Sequence, residues 1–213
     1  MLKDYKMTII YLSLLTILVV CSGYYYSYSR EKLLQQNAAL YYVNISGKQR
    51  VLAQRIVFLS QTIATNFIFK RNNHNNFMEL RACINQLSSI HLVLQQFVIS
   101  QVSQDSTLND IYFGSKSLAT RMDTFLDSAN LVLTSQNYQE LLRLNYELLK
   151  ELEGEDGLLS NLELATLSQQ IYAQNQIQEI EQHTYYLLCI VLLFVLVEGI
   201  LIFTSSFPKT KKS

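Results

Sequence analysis

The chain has 213 residues with 17 basic and 17 acidic side chains, so it carries no formal net charge, and 49% of it is hydrophobic while only 16% is charged. That balance argues against nucleic-acid binding, where a basic surface is needed, and directs attention to membrane segments. With one proline and no tryptophan, long helices meet few obstacles.

In chain order, the first feature is an uncharged run from Met7 to Ser29, bounded by Lys6 and Arg30 and closed by Tyr24, Tyr25, Tyr26 and Tyr28. It exceeds the roughly 20 apolar residues that cross a bilayer, and the tyrosines suit a water interface. Two readings stand: an anchor, favoured by the length of the run, or a signal peptide cleaved near Val20-Cys21-Ser22. A lipoprotein reading of Cys21 is disfavoured because Val20 sits where a small residue is wanted.

The next feature is Asn44-Ile45-Ser46-Gly47-Lys48-Gln49-Arg50-Val51-Leu52-Ala53-Gln54-Arg55-Ile56. A glycine inside a helix costs roughly 1 kcal/mol relative to alanine, which suggests a close approach to the backbone at Gly47. At about 100° per residue Gly47, Arg50 and Gln54 share a face, and Arg55 points about 140° away from Arg50. The two arginines therefore serve different purposes.

This stretch resembles the P-box of the NarX-type nitrate and nitrite sensor kinases. It is still more similar to the opening of the PilJ-type sensor domain of chemotaxis transducers, whose usual form is N-x-A-G-R-Q-R-M-L-S-Q-R-I. Asn44, Gly47, Gln49, Arg50, Leu52, Gln54, Arg55 and Ile56 agree; Ser46, Lys48, Val51 and Ala53 depart by residues of similar size or charge. The resemblance implies a periplasmic helical sensor domain, anion binding by Arg50 at the two-fold axis of a dimer, and a supporting role for Asn44 and Arg55. A guanidinium suits this task because its planar fork matches nitrate, nitrite or a carboxylate.

Beyond the box, apolar residues recur at three and four. Leu52, Ile56, Leu59, Ile63 and Phe67 form one seam, and Lys70 to Asn76 a polar turn. Phe77, Leu80, Ile84, Leu87, His91, Leu94 and Val98 form a heptad that puts His91 at a core position. After a turn with Asp105 or Ser106 as N-cap, Ile111, Leu118, Met122, Phe125, Ala129 and Val132 predict one third helix. Tyr138, Leu141, Leu142, Leu148 and Leu152 carry the fourth, which meets the breaker Gly154-Glu155-Asp156-Gly157. A chain that leaves the membrane and returns needs an even number of long antiparallel helices, so the breaker reads as an interruption within one descending helix. Leu167-Ser168-Gln169-Gln170-Ile171 echoes the end of the box, with Ala165 and Gln170 at the two arginine positions.

A second apolar run spans Thr184 to Phe207, opened by Tyr185 and Tyr186, with Glu198 its sole charged residue. Glu198 is an intramembrane polar candidate for packing or signalling, and it also matches a glutamate common in the second span of PilJ-type proteins. Lys3 and Lys6 at one end, with Lys209, Lys211 and Lys212 at the other, favour cytoplasmic termini.

Cys21, Cys83 and Cys189 form no disulfide framework, and His74, His91 and His183 show no metal-ligand spacing. No nucleophile with a base and no phosphate loop is visible, and Glu151, Glu153, Glu155 and Asp156 read as a solvated turn, so no enzyme and no cofactor is expected.

The expected fold is all-α: a membrane-anchored antiparallel four-helix bundle between two transmembrane helices. The expected boundaries are a cytoplasmic N-terminus 1–6, a first span 7–29, an external domain 30–183, a second span 184–207 and a basic tail 208–213. The expected function is a bacterial inner-membrane sensor that binds a small anion through Arg50, as a homodimer or as a mixed dimer with a full-length receptor. With only Pro208 to Ser213 after Phe207, it would signal through a partner. The alternatives are a structural module assembled with pilus, secretion or receptor components, and a truncated receptor remnant.

Overall fold

The computed structural model describes residues 2–102, 106–115, 117–135 and 137–206, and every regular element among them is helical. The helices are α1 Leu2–Ile68, α2 His74–Gln101, α3 Thr107–Phe113, α4 Leu118–Thr134, α5 Tyr138–Glu153 and α6 Leu158–Ser206. The expected tail 208–213 and the Asp105 cap lie outside the described residues.

The chain divides into two compact units, one of Ala39–Ala173 and one of the segments up to Ala38 and from Gln174 onward. Both boundaries fall inside the expected external domain of 30–183. Helices α1 and α6 each run through their boundary without a break.

Unit Ala39–Ala173 is an antiparallel helical bundle. Gln49 faces His91, Arg55 faces Glu79, and Asn73 Nδ2 donates to the Ile63 carbonyl at 3.1 Å, so α2 runs back along α1. Ser128 on α4 meets Glu151 on α5, Arg121 donates to the Asp156 carbonyl, and Tyr112 on α3 faces Gln169 on α6. As the second partner advances from 151 to 169 the first retreats from 128 to 112, so α5 and α6 form one descending run. The Gly154–Gly157 turn is thus an interruption and not a reversal.

The core follows the seams. Leu52, Ile56, Leu59 and Ile63 on α1 and Leu80, Ile84, Leu87, His91, Leu94 and Val98 on α2 are buried, as are Met122, Phe125, Ala129 and Val132 on α4. Each large apolar side chain so buried contributes about 1.5–3 kcal/mol relative to exposure, which is why the heptads position the helices.

Two expectations need correction. The third rod is not one helix: α3 ends at Phe113 and α4 starts at Leu118, with Ser117 in the left-handed region at φ 44°. Gly114 and the serines around it favour a break, and Ser117 Oγ donates to Thr120 Oγ1 at 2.6 Å. On α5 the buried stripe is Leu141, Leu144, Leu148 and Leu152, whereas Tyr138 and Leu142 are exposed. Leu141, Leu148 and Leu152 bury as the expected seam has them, and Leu144 takes the core place given to Leu142.

The helix ends have local causes. Arg71 N–H donates to the Asn66 carbonyl and Lys70 N–H to the Phe67 carbonyl, a Schellman closure of α1 with Lys70 at φ 50° where glycine is usual. Ser106 caps α3 by accepting from Asn109 N–H, and Asn137 caps α5 by accepting from Gln139 N–H.

In the other unit, Tyr28 and His183 pack edge to face at 5.7 Å between centroids. Large apolar side chains such as Val20, Leu193, Leu196 and Ile200 are exposed there. Among the described residues, α2 is the one helix long and apolar enough by length and composition to cross a membrane, and a shorter apolar stretch, Glu181–Val197, lies within α6. In α2, however, the apolar seam packs into the bundle core.

Candidate functional site

The box occupies α1 mostly in the N-terminal half of its bundle segment, and its residues divide between two faces. Ile45, Gln49, Leu52 and Ile56 point inward, continuing the seam that Leu59 and Ile63 extend. Asn44, Val51 and Gln54 are exposed, and Gly47 is half-buried. A Cβ built on Gly47 would meet nothing within 4 Å. The chain's own packing therefore does not require glycine there, and the close approach expected from the sequence is absent within one chain.

The two arginines face different neighbours. Arg50 Nη1 lies 3.9 Å from Glu163 Oε1 on α6, and the two side chains are 42% and 60% exposed. Arg55 turns to α2, where its Nε donates to Glu79 Oε1 at 3.0 Å and its Nη2 reaches the same oxygen; its guanidinium also covers the Phe58 ring at 5.6 Å. The bond to Glu79, with that residue's charge, raises the pKa of Arg55. Burial and then the Glu79 charge push the Cys83 thiol up, with Arg55 opposing, which disfavours the reactive thiolate.

Below Arg50 lies a buried polar group. Gln49 Nε2 is 3.5 Å from His91 Nδ1, Gln95 Nε2 is 2.9 Å from His91 Nε2, and Asp123 Oδ1 on α4 is 3.8 Å from Nε2. His91 is 1% exposed, and Gln49 is fully buried with its Oε1 unpartnered. Burial lowers the His91 pKa, outweighing Asp123 and the Ala119 carbonyl, which raise it. Ser46, also fully buried, shares a 3.0 Å hydrogen bond with Thr166 on α6.

The echo at 167–171 presents its faces the other way round. In the box Leu52 and Ile56 are buried and Gln54 exposed; in the echo Leu167 and Ile171 are exposed, while Gln169 is 2% exposed and Ala165 buried. Equivalent letters therefore sit on opposite faces, and the echo is no second copy of the site. Glu198 lies within α6, with its side chain outside the described residues.

A cleft of about 180 Å³ opens beside the α5–α6 turn, lined by Arg121, Thr124, Lys150, Glu151, Glu155, Gly157 and Leu158. Glu151 takes a hydrogen bond from Ser128 Oγ at 3.3 Å, and burial pushes its carboxyl pKa up. It is half-buried and so differs from the exposed Glu153, Glu155 and Asp156, with which the sequence grouped it. The mixed charges of this cleft select no single ligand class. Among the described residues no cluster of three or more His, Cys, Asp or Glu side chains gathers as a metal site.

Glu79, Asp123 and Glu163 were not singled out from sequence, and Gln49 was matched to the box without being assigned to the core. Gln49 was within reach, since it falls at the heptad spacing of Leu52 and Ile56; the three carboxylates come from other helices and carry no local signal. No family model, curated protein or solved structure matches the chain.

Proposed function

We propose that this protein is a membrane-anchored sensor whose helical bundle binds a small oxyanion, of nitrate, nitrite or carboxylate type, at Arg50. The observation that carries the reading is the state of Arg50: a half-exposed guanidinium in the box, held by a single contact of 3.9 Å to a carboxylate that is itself mostly exposed. Such a pair is weak enough to yield to a ligand. Gly47 leaves an open, low-relief surface one turn away, and Gln54 adds an exposed amide on the same helix. Two Arg50 side chains brought together by a second copy would repel each other until an anion neutralises them, so occupancy would bias helix positions. Anchoring rests on the uncharged run Met7–Ser29 and on the run Thr184–Phe207, whose one charge is Glu198. The lysines Lys3, Lys6, Lys209, Lys211 and Lys212 favour cytoplasmic flanks and an outward-facing bundle in a bacterial inner membrane.

The test is a thermal-shift panel of nitrate, nitrite and small carboxylates on the full chain in detergent, for wild type and Arg50→Ala. The reading expects stabilisation that vanishes in the variant. An equal shift in both proteins sinks it.

A second reading, an assembly module with no small-molecule ligand, draws on the exposed Leu40, Val51 and Phe58 of α1. They share the outward face with Gly47 and give a partner helix an apolar stripe. Absence of any saturable anion response, with retained self-association or partner capture, would favour it.

A further inference from the structure

The polar group beneath the box has a chemical conflict built into it. A neutral imidazole offers one N–H and one lone pair. Here both ring nitrogens face amide groups, Gln49 at Nδ1 and Gln95 at Nε2. Two NH2 groups cannot both donate to a neutral ring, so one amide presents its oxygen. Gln95 is half-exposed and turns freely, because water takes up whichever group it shows outward. Gln49 is fully buried, so no water compensates a turn of its amide and it holds one orientation while the ring is neutral. The consistent neutral arrangement has Gln49 NH2 donating to Nδ1 and the Nε2 proton directed at Gln95, with the Asp123 carboxylate and Ala119 carbonyl of α4 behind it.

A proton added to the ring must enter at Nδ1, the remaining lone pair. It would then confront the Gln49 NH2, donor against donor, inside the core. The relief available is for the Gln49 amide to turn over, so that the orphan Oε1 accepts from Nδ1–H. Gln49 precedes Arg50 directly and stands two residues from Gly47. The groups facing the ring are thus Gln49 from α1, Gln95 from α2, and Asp123 with the Ala119 carbonyl from α4; Glu163 of α6 pairs with Arg50 and not with the ring.

We propose that His91 is an acid-operated latch on the box: proton uptake at Nδ1 inverts the buried Gln49 amide and shifts α1 at Gly47–Arg50. Asp123 supplies the charge that draws the imidazolium toward α4, so one proton alters the α1, α2 and α4 contacts together. Mild acid outside the cell would then change the box whether or not Arg50 binds an anion.

The experiment is hydrogen exchange of the 44–56 segment in the full chain in detergent, corrected for the chemical pH dependence of exchange, at about pH 7 and about pH 5. Exchange is expected to rise about tenfold in acid for wild type and to be unchanged in His91→Gln. No rise in wild type, or the same rise in both, overturns the proposal. Should His91→Gln fail to fold, Gln49→Leu keeps the histidine and removes the amide: the ring is then expected to titrate while the box no longer responds. Nitrogen-labelled histidine spectra give a further readout. A ring that stays neutral down to about pH 4, or that titrates without moving the Gln49 amide resonances, overturns it equally.

Discussion

Glu163→Gln tests the proposed site through the competitor of Arg50 and not through Arg50 itself. At 3.9 Å two unit charges attract by about 1 kcal/mol in water. Both side chains are substantially exposed, so screening and side-chain entropy reduce this to about 0.2–1 kcal/mol. An anion that takes Arg50 must displace that attraction. Replacing the carboxylate by an isosteric amide removes the opposing charge and should tighten nitrate or carboxylate binding about 1.5- to fivefold. The assay is calorimetric titration of the anion into the full chain in detergent at low salt, repeated at high salt, where the difference between proteins should shrink. Affinity that is unchanged or weaker at low salt in a folded Glu163→Gln variant would refute Arg50 as the anion's partner.

Further outcomes follow from particular atoms. Lys70→Gly relieves a left-handed residue at the end of α1 and should stabilise the bundle by up to about 1 kcal/mol in thermal unfolding. Gly157→Ala places a Cβ 2.5 Å from the Leu152 carbonyl oxygen and 2.8 Å from that of Gly154 and should cost about 1–3 kcal/mol; Gly47→Ala meets nothing and should gain up to about 1 kcal/mol in the isolated chain. If a second copy packs on that face, Gly47→Ala should weaken self-association measured by sedimentation. Tyr112 OH and the Gln169 amide face each other in the core but do not reach good hydrogen-bond geometry, so removing both with Tyr112→Phe and Gln169→Leu should be neutral or stabilising in denaturant titration. For His91 the folded pKa is depressed below 6.5 by burial, so its contribution is fully present above about pH 6.5 and is lost as pH falls from there toward the folded value. His91→Gln should flatten the stability profile in that interval.

The sequence carried the helices because periodicity is a local property. The α1, α2 and α4 seams bury as their spacing requires, and His91 lies in the core because a heptad put it there. The α5 seam was misread because Tyr138, Leu141, Leu142, Leu144 and Leu148 offer two overlapping stripes, and only the neighbouring helices choose between them. The α3–α4 break hid behind a continuing apolar pattern, although Gly114 and its serines supplied a signal. The site was legible as a motif but not as a set of contacts. Glu163, Glu79 and Asp123 each approach from another helix, and long-range pairing leaves no trace in a local window.

That division changes what the two arginines mean. Arg55 makes two hydrogen bonds to Glu79 and covers Phe58, so it joins α1 to α2 and its loss should be felt first in stability. Arg50 makes one long contact to Glu163 and stays half-exposed, and its loss should cost the fold little. A residue that contributes little to stability, yet sits directly after the buried Gln49 and one turn from an unfilled Gly47, is placed to report on what happens at the helix surface. The Gln49–His91 contact is a buried connection from that turn to α2, beside the exposed Arg55–Glu79 pair, and Asp123 extends it to α4. A signal entering at Arg50 and a proton entering at His91 would therefore act on the same turn of α1, through consecutive residues about 100° apart.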